Sequence, residues 1–426
     1  MLIITYYFPP KPEIGGLRPF GLAKYLPLYG WNPIILTPVL PGDPDSRFRI
    51  FQTQYHDIVE HWKRRFGLNP KKTLNEQFQV RRKKGSFSII DRLVSMPAEV
   101  ITYPDNNIGW YDYAVIDGEK ILQTEPIDVI LSSSLPVTCH LIAKTLSEKY
   151  HIPWVADFRD LWSGNPYSQY SRVRNYFEKK LEIRTLKHAS AFTTVSQPLV
   201  DKLGTIHGNK KIFLIKNGFD PELINPGDEV DRYFRITYTG DLYQGKRDPA
   251  QLFKVIKELC ENNFIKRSDI QINFFGYPKS GSYEDWLQDE IQKYHLQDLV
   301  TLNGEVSHET AVAEQRKAQI LLLLTWNNPE ENGVYTGKLF EYLSAHRPIL
   351  SMGYIDGGVV KELLTQTRAG IHTGNEEELK TAISRAYREY QEFGSVEYHG
   401  INSEIMKYSH KEMARNFAVV LDTSIH

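Results

Sequence analysis

The sequence predicts an α/β protein built as two parallel-sheet domains, and three observations carry that reading. A chain of 426 residues is long for one core and suits two. Short β-rich runs alternate with amphipathic stretches almost throughout, the sequence form of a parallel sheet covered by helices. Two such sets are separated by Lys216-Asn217-Gly218-Phe219-Asp220-Pro221 and a Pro/Gly/Asp-rich stretch to Asp231, which reads as a hinge.

The first set places strands at 2–6, 33–37, 128–132, 153–157, 191–194 and 212–215, and defines a first domain over 1–215. The second places strands at 235–239, 270–275, 300–302, 320–324 and 348–351, in a domain over 216–402. An amphipathic stretch over 403–426 closes the chain. Residues 38–110 break the alternation, with Pro41-Gly42-Asp43-Pro44-Asp45 and no clear period, and loops of that length are usually functional or mobile.

Basic and acidic residues nearly cancel, 51 against 52, so no global charge draws the chain to nucleic acid or membrane. Cys139 and Cys260 lie far apart in helical stretches and read as reduced core residues of a cytoplasmic protein. Met1 runs straight into the first strand without a cationic leader, and no apolar run approaches spanning length, so neither secretion nor membrane insertion is expected. No His/Cys set has zinc spacing, no Gly-x-Ser-x-Gly elbow is present, and His308 and His346 read as helix-surface residues.

The richest segment runs from Gly333 to Ile349. A buried strand over 320–324, a Gly/Asn/Pro-rich loop and a helix opening near Thr336 place backbone N–H groups where they can hold an anion. Glu341 lies about one and a half turns further on, where a carboxylate accepts hydrogen bonds from a ribose diol. A solvated carboxylate on an amphipathic helix fits the same spacing. After the first strand comes Phe8-Pro9-Pro10-Lys11-Pro12-Glu13-Ile14-Gly15-Gly16, a turn whose glycines let backbone approach a ligand or simply pack tightly. It holds no full Gly-x-Gly-x-x-Gly, which disfavours a nicotinamide cofactor.

The second domain's first strand is followed by Gly240-Asp241-Leu242-Tyr243-Gln244-Gly245-Lys246-Arg247, a loop presenting two cations. Asp157-Phe158-Arg159-Asp160-Leu161-Trp162-Ser163-Gly164-Asn165 ends another first-domain strand, where open α/β sheets form their crevice. A buried Asp-Arg-Asp ion-pair cluster is the structural alternative. Asp43-Pro44-Asp45 matches a metal-binding Asp-x-Asp in form only, because no strand precedes it. Residues 63–84 carry nine basic residues and one acid, with Phe66, Leu68 and Phe78 interleaved. That pattern fits either a patch for anionic lipid or a solvated loop, and it lacks the base-stacking or helix-turn-helix features of a nucleic-acid binder.

These segments resemble the family-four type of GT-B glycosyltransferase. Glu341 falls on the second of that family's two spaced glutamates; the first position is Gly333, with Glu330 and Glu331 just upstream. Thr336 and Lys338 match a variant branch with Pro-Ser/Thr-Lys before Leu-Phe-Glu. Asn217-Gly218-Phe219-Asp220 is similar to the family's interdomain Asn-Gly-Val/Ile-Asp, and Ser196 fits its Val-Ser element. Gly240 matches the family glycine, Asp241 takes its arginine position, and Lys246 or Arg247 its lysine. Arg159 stands where many relatives carry histidine, and a branch acting on bacterial surface polysaccharide has a similar Asp-Phe-Arg-Asp.

The resemblance implies two Rossmann-like domains with a cleft between them and a C-terminal helix crossing back. It implies transfer of a sugar, with retention, from a nucleotide sugar on the second domain to a glycan or polyprenyl-linked acceptor on the first. Lys246, Arg247 and Arg159 form the expected catalytic set. Gly240, Thr336, Gly337, Lys338, Glu341, Gly15 and Gly16 form the donor set, and Asp157, Asp160, Trp162 and Asn165 the acceptor set. No metal or other cofactor is expected, and 63–84 would seat the enzyme at the inner membrane face. A nucleotide-sugar 2-epimerase of the same fold and a non-catalytic carbohydrate-binding scaffold are the alternative readings.

Overall fold

The structure, a computed structural model, describes residues 1–11, 14–58, 60, 102–165, 168, 170–224, 230–243, 245–276, 282–328, 333–353 and 356–425. It divides into two compact units: Met1–Ile215 with Ala414–His426, and Lys216–Met413.

The first unit carries strands β1 (Leu2–Ile4), β2 (Ile34–Pro38), β3 (Arg49–Thr53), β4 (Ile130–Ser134), β5 (Trp154–Phe158), β6 (Ala191–Thr194) and β7 (Ile212–Leu214). They form one parallel sheet in the order β3-β2-β1-β4-β5-β6-β7. Helices α1 (Leu17–Tyr25), α2 (Tyr111–Thr124), α3 (Thr138–Tyr150), α4 (Arg172–Leu186) and α5 (Gln197–His207) follow the strands. The chain runs outward from β1 to β3 and then returns to pair β4 with β1, Ile4 lying opposite Ser132. That reversal is the switch point at which open α/β sheets form their crevice.

The second unit repeats the plan with β8 (Phe234–Thr239), β9 (Ile270–Phe275), β10 (Val300–Gly304), β11 (Ile320–Leu324), β12 (Ile349–Met352) and β13 (Gly370–Thr373), in the order β10-β9-β8-β11-β12-β13. Its helices are α6 (Ala250–Glu261), α7 (Ser282–Lys293), α8 (His308–Lys317), α9 (Gly337–Ala345), α10 (Gly358–Thr367), α11 (Glu376–Phe393) and α12 (Asn402–Ile405). The switch point falls between β8 and β11. Strand β11 shows why a continuous apolar run suits this architecture. Ile320, Leu322 and Leu324 enter one core cluster, while Leu321 and Leu323 enter the cluster on the opposite face.

Strands β3 and β13 escape sequence reading for one reason. Both are edge strands, and Arg49, Phe51, Gln52 and Ile371 are exposed, so neither shows an apolar alternation. The stretch 403–426 is interrupted rather than a single helix. After α12 and a short turn at Met406–Tyr408, Ser409 is extended, and α13 (His410–Ile425) then runs from the second unit into residues counted with the first. The second unit's incoming and outgoing segments are laced together. Phe219 N–H donates to Tyr408 O at 3.0 Å, and His410 N–H to Phe219 O at 2.8 Å. Gly218 permits this, because a Cβ there would lie 2.3 Å from Tyr408 O.

Candidate active site

In the second unit the sequence-selected residues converge on the carboxyl ends of β8 and β11. Thr336 is the N-cap of α9, its hydroxyl buried without a partner, with the Gly337 and Lys338 amides opening the helix behind it. The Lys338 side chain is 7% exposed. Its Nζ donates to Tyr238 Oη at 2.6 Å and stands 4.1 Å from that ring's centre. Burial first, then the Arg247 charge, hold this amine well below the usual lysine range, with Glu341 and Asp241 pulling the other way.

The loop after β8 is shaped around that amine. Gly240 has φ of +111°, and a Cβ there would sit 2.7 Å from Lys338 Nζ. Asp241, in the position where the family carries a cation, uses Oδ1 to accept from Tyr243 N at 2.7 Å, while its carbonyl accepts from Tyr238 Oη at 2.8 Å. It therefore folds the loop. Arg247 is 5% exposed, hydrogen-bonds Tyr238 and stacks 4.3 Å from the Tyr243 ring. Lys246 is more open, its Nζ 4.2 Å above the Trp326 ring just past β11.

Glu341 is held, not merely solvated. Its side chain is 22% exposed; Oε1 lies 3.1 Å from His308 Nε2, and Oε2 accepts from Gln315 Nε2 at 3.3 Å. Gln315, itself buried, also donates to Thr239 Oγ1 at 2.9 Å. The hydrogen bond to Glu341 raises the His308 pKa against the opposing effect of burial. His308 is exposed at the start of α8, in keeping with its reading as a helix-surface residue, and from there it meets Glu341. His346 departs from that reading: it lies past the end of α9 with φ of +52° and stacks on Tyr398. Gly333 is buried, and Glu330 and Glu331 lie outside the described residues.

Two outcomes follow from this geometry. Gly240→Ala should cost about 1–3 kcal/mol of stability from the strained φ and displace Lys338, weakening donor binding; chemical denaturation and calorimetry report both. A diphosphate placed at Lys338 should raise its depressed pKa, so binding takes up protons and weakens as pH rises through the free amine's pKa. Calorimetry of nucleoside diphosphate binding in buffers of different ionisation enthalpy should show that uptake, and identical heats in all buffers would contradict it.

In the first unit the structure removes one residue, Asp157, from the expected acceptor set. Asp157 is fully buried and already satisfied, accepting from Arg18 Nε at 3.0 Å and Nη2 at 2.9 Å, Ser133 Oγ at 2.9 Å and Thr193 Oγ1 at 2.7 Å. Burial works to raise its pKa, but the Arg18 charge and these donors hold it below the usual range. The carboxylate ties α1 to β4, β5 and β6, and has no face left for an acceptor. The Asp-Arg-Asp cluster is not formed either, because the ion-pair partner of Asp157 is Arg18. Arg159 instead donates to the carbonyls of Gly15, Ser134 at 2.6 Å and Leu135 at 2.6 Å, bracing the loops after β1 and β4. Gly15 makes room for it, since a Cβ would lie 2.7 Å from Arg159 Nη1, and Gly16 packs on the Phe8 backbone.

Burial raises the Asp160 carboxyl pKa, opposed by the Arg159 charge. Trp162 is 6% exposed and donates Nε1 to Glu178 Oε2 at 2.7 Å. Trp162 and Asn165 line a common recess. Asp45 bonds Arg47 at 2.9 Å in an exposed turn, in keeping with a loop. The basic run 63–84 lies outside the described residues. Cys139 and Cys260 are free and buried. Among the described residues no helix is long and apolar enough to cross a membrane.

Sequence reading passed over Tyr238, Gln315, Trp326 and Arg18. Each sits in a strand, helix or loop where its spacing resembles that of any packed polar residue, so no local signal marks it.

Residues 20–223 match the family model described as Glycosyltransferase Family 4. Solved structures share the fold over nearly the whole chain. The Anabaena protein Alr3699/HepE in complex with UDP and glucose is 14% identical, with 99% of each chain covered and a TM-score of 0.62. Sucrose-phosphate synthase from Thermosynechococcus elongatus is 13% identical, covering 99% of this chain and 98% of its own, with a TM-score of 0.65. The chain shares the two-domain GT-B fold of these enzymes. The lipopolysaccharide outer core galactosyltransferase WaaB is also similar to this chain, at 14% identity, 99% coverage of each chain and a TM-score of 0.57. No curated protein matches it.

Proposed function

We propose that the chain is a family-four glycosyltransferase that moves a hexose, with retention, from a uridine diphosphate sugar to a glycan or polyprenyl-linked acceptor in cell-surface polysaccharide synthesis. The observation that carries the reading is one helix start. Thr336, the α9 amides and Lys338 offer an anion site beside Gly240, and Glu341, held by His308 and Gln315, offers a ribose contact on the same helix. Similar proteins solved with UDP and glucose, or with UDP-2-fluoro glucose, support a UDP sugar as donor.

The demand on the site is to stabilise an oxocarbenium-like centre and a departing diphosphate. Lys246 and Lys338 neutralise the leaving group, Arg247 supports Tyr238 beneath Lys338, and Arg159 positions the Gly15-Gly16 loop. The leaving phosphate oxygen takes the acceptor's proton, so no side-chain base is assigned. Placed cations do the neutralising, and activity should persist in excess chelator; loss restored by magnesium or manganese would contradict this. Among the described residues Glu389, Glu397 and His399 could gather on a metal, but they lie at and beyond the end of α11, outside the donor cluster.

Incubating the full chain with UDP-glucose, UDP-galactose, UDP-N-acetylglucosamine and GDP-mannose, with and without membrane lipid extract, tests the proposal. Acceptor-dependent UDP release supports it. Epimerised sugar without acceptor would favour a 2-epimerase, and binding without turnover a scaffold. A polyprenyl-linked acceptor and contact of 63–84 with the inner membrane face belong to the same reading. Flotation with anionic vesicles that weakens as salt rises tests that contact.

A further inference from the structure

We infer that the outward face of α4 docks on an anionic lipid bilayer; this rests on the glycosyltransferase reading, whose polyprenyl-linked acceptor would be anchored in such a surface. Over Arg172–Leu186 the helix is built inside out. The residues it buries are Arg174, Glu178, Glu182, Thr185 and Leu186, four of them polar. Val173, Tyr176, Phe177 and Ile183 face solvent instead, at 62%, 56%, 53% and 43% exposure. A surface helix of a globular protein ordinarily does the reverse, burying its apolar stripe and exposing its charges. Val173, Tyr176 and Phe177 stand at i, i+3 and i+4 and so form one ridge, with the Tyr176 and Phe177 rings edge-on at 5.6 Å.

The two acids of the helix are spent inward. Glu178 accepts from Trp162 Nε1 and Arg174 Nε, both at 2.7 Å, and Arg174 Nη2 donates to the carbonyls of Thr102 and Pro104, both at 2.9 Å. Glu182 accepts from Ser163 N at 3.0 Å, and its other oxygen lies 3.0 Å from His207 Nε2. These bonds hang α4 from the loop after β5 and brace it against α5, so the helix is fixed without using its apolar ridge. Every charged side chain that α4 shows to solvent is therefore a cation: Arg172, Lys179, Lys180 and Arg184, with Lys187 following at its end. Lys180 Nζ lies 4.5 Å from the centre of the Tyr176 ring, so charge and apolar surface are interleaved on one face.

That mixture selects the partner. Cations alone would fit any polyanion, and an apolar ridge alone any hydrophobic groove. A lipid interface takes both at once: rings sit at the head-group level, aliphatic groups reach the acyl boundary, and long basic side chains snorkel to the phosphates. A nucleic acid would meet the cations but gain nothing from Val173 and Ile183. The α4 face is a contact separate from the basic run 63–84.

Co-sedimentation of the full chain with vesicles of equal parts phosphatidylglycerol and phosphatidylcholine tests the inference, with pure phosphatidylcholine as the control. Binding to the anionic vesicles should exceed the control and fall as salt rises. Lys180→Gln with Arg184→Gln and Lys187→Gln should weaken it roughly 100-fold at low salt, and Tyr176→Ser with Phe177→Ser roughly tenfold or more. Both variants should keep the melting temperature and UDP affinity of wild type, because the substituted side chains are exposed. Wild type that binds neither vesicle, or both equally, would overturn the inference. Variants that bind as wild type does would also overturn it, leaving 63–84 as the contact. A lower melting temperature for Tyr176→Ser with Phe177→Ser, at unchanged vesicle binding, would mean that the chain itself covers the ridge. Self-association lost in that variant, again at unchanged vesicle binding, would assign the ridge to a second copy, and either result overturns the inference. Failure of wild type to bind UDP would instead remove the glycosyltransferase reading and leave the vesicle result standing.

Discussion

Lys246→Ala is expected to lower turnover by roughly 10²–10³-fold, the loss seen when one preorganised group facing a developing charge is removed. The amine lies on the loop after β8, above Trp326, where it can meet a departing diphosphate whose charge grows toward the transition state. Donor affinity should change far less than kcat, and kinetics with UDP-glucose alongside calorimetry separate the two. Arg247→Ala should behave differently, lowering the melting temperature as well, because its guanidinium is buried against Tyr238 and Tyr243. A Lys246→Ala enzyme that keeps full turnover would transfer the leaving-group role to Lys338 or Arg247.

The second large effect is expected at Glu341. Removing a carboxylate that accepts hydrogen bonds from a ribose diol costs about 1.5–3 kcal/mol, or roughly 10–150-fold in donor Kd. Glu341→Ala should show that loss by calorimetry without unfolding, since the side chain is partly exposed and its partners His308 and Gln315 come from another helix. Unchanged UDP affinity would remove the ribose assignment, and with it the main support for a nucleotide on α9.

Much of this arrangement is legible in the amino-acid order alone. Strand β11 announces itself because both its faces are buried and five apolar residues in a row satisfy them. Gly15, Gly240 and Gly218 are legible as glycines in turns, and the structure gives each a reason in the atoms that a Cβ would strike. The edge strands β3 and β13 are not legible, because a strand with exposed residues carries little periodic signal.

Residue order alone carries the α/β alternation, the two sets of strands, the loop that holds Lys246 and the helix that holds Lys338 and Glu341. Those features are local, written in burial period and turn chemistry over a few residues. Which charges are available depends on the packing of distant segments. Asp157 is spent on Arg18, 139 residues away in the chain, and Arg159 on the carbonyls of two loops; His308, on α8, meets Glu341 on α9. Charge pairing depends on proximity in space, and in a parallel sheet every neighbouring strand is separated by a crossover, so the partners of a strand-end residue are remote in sequence.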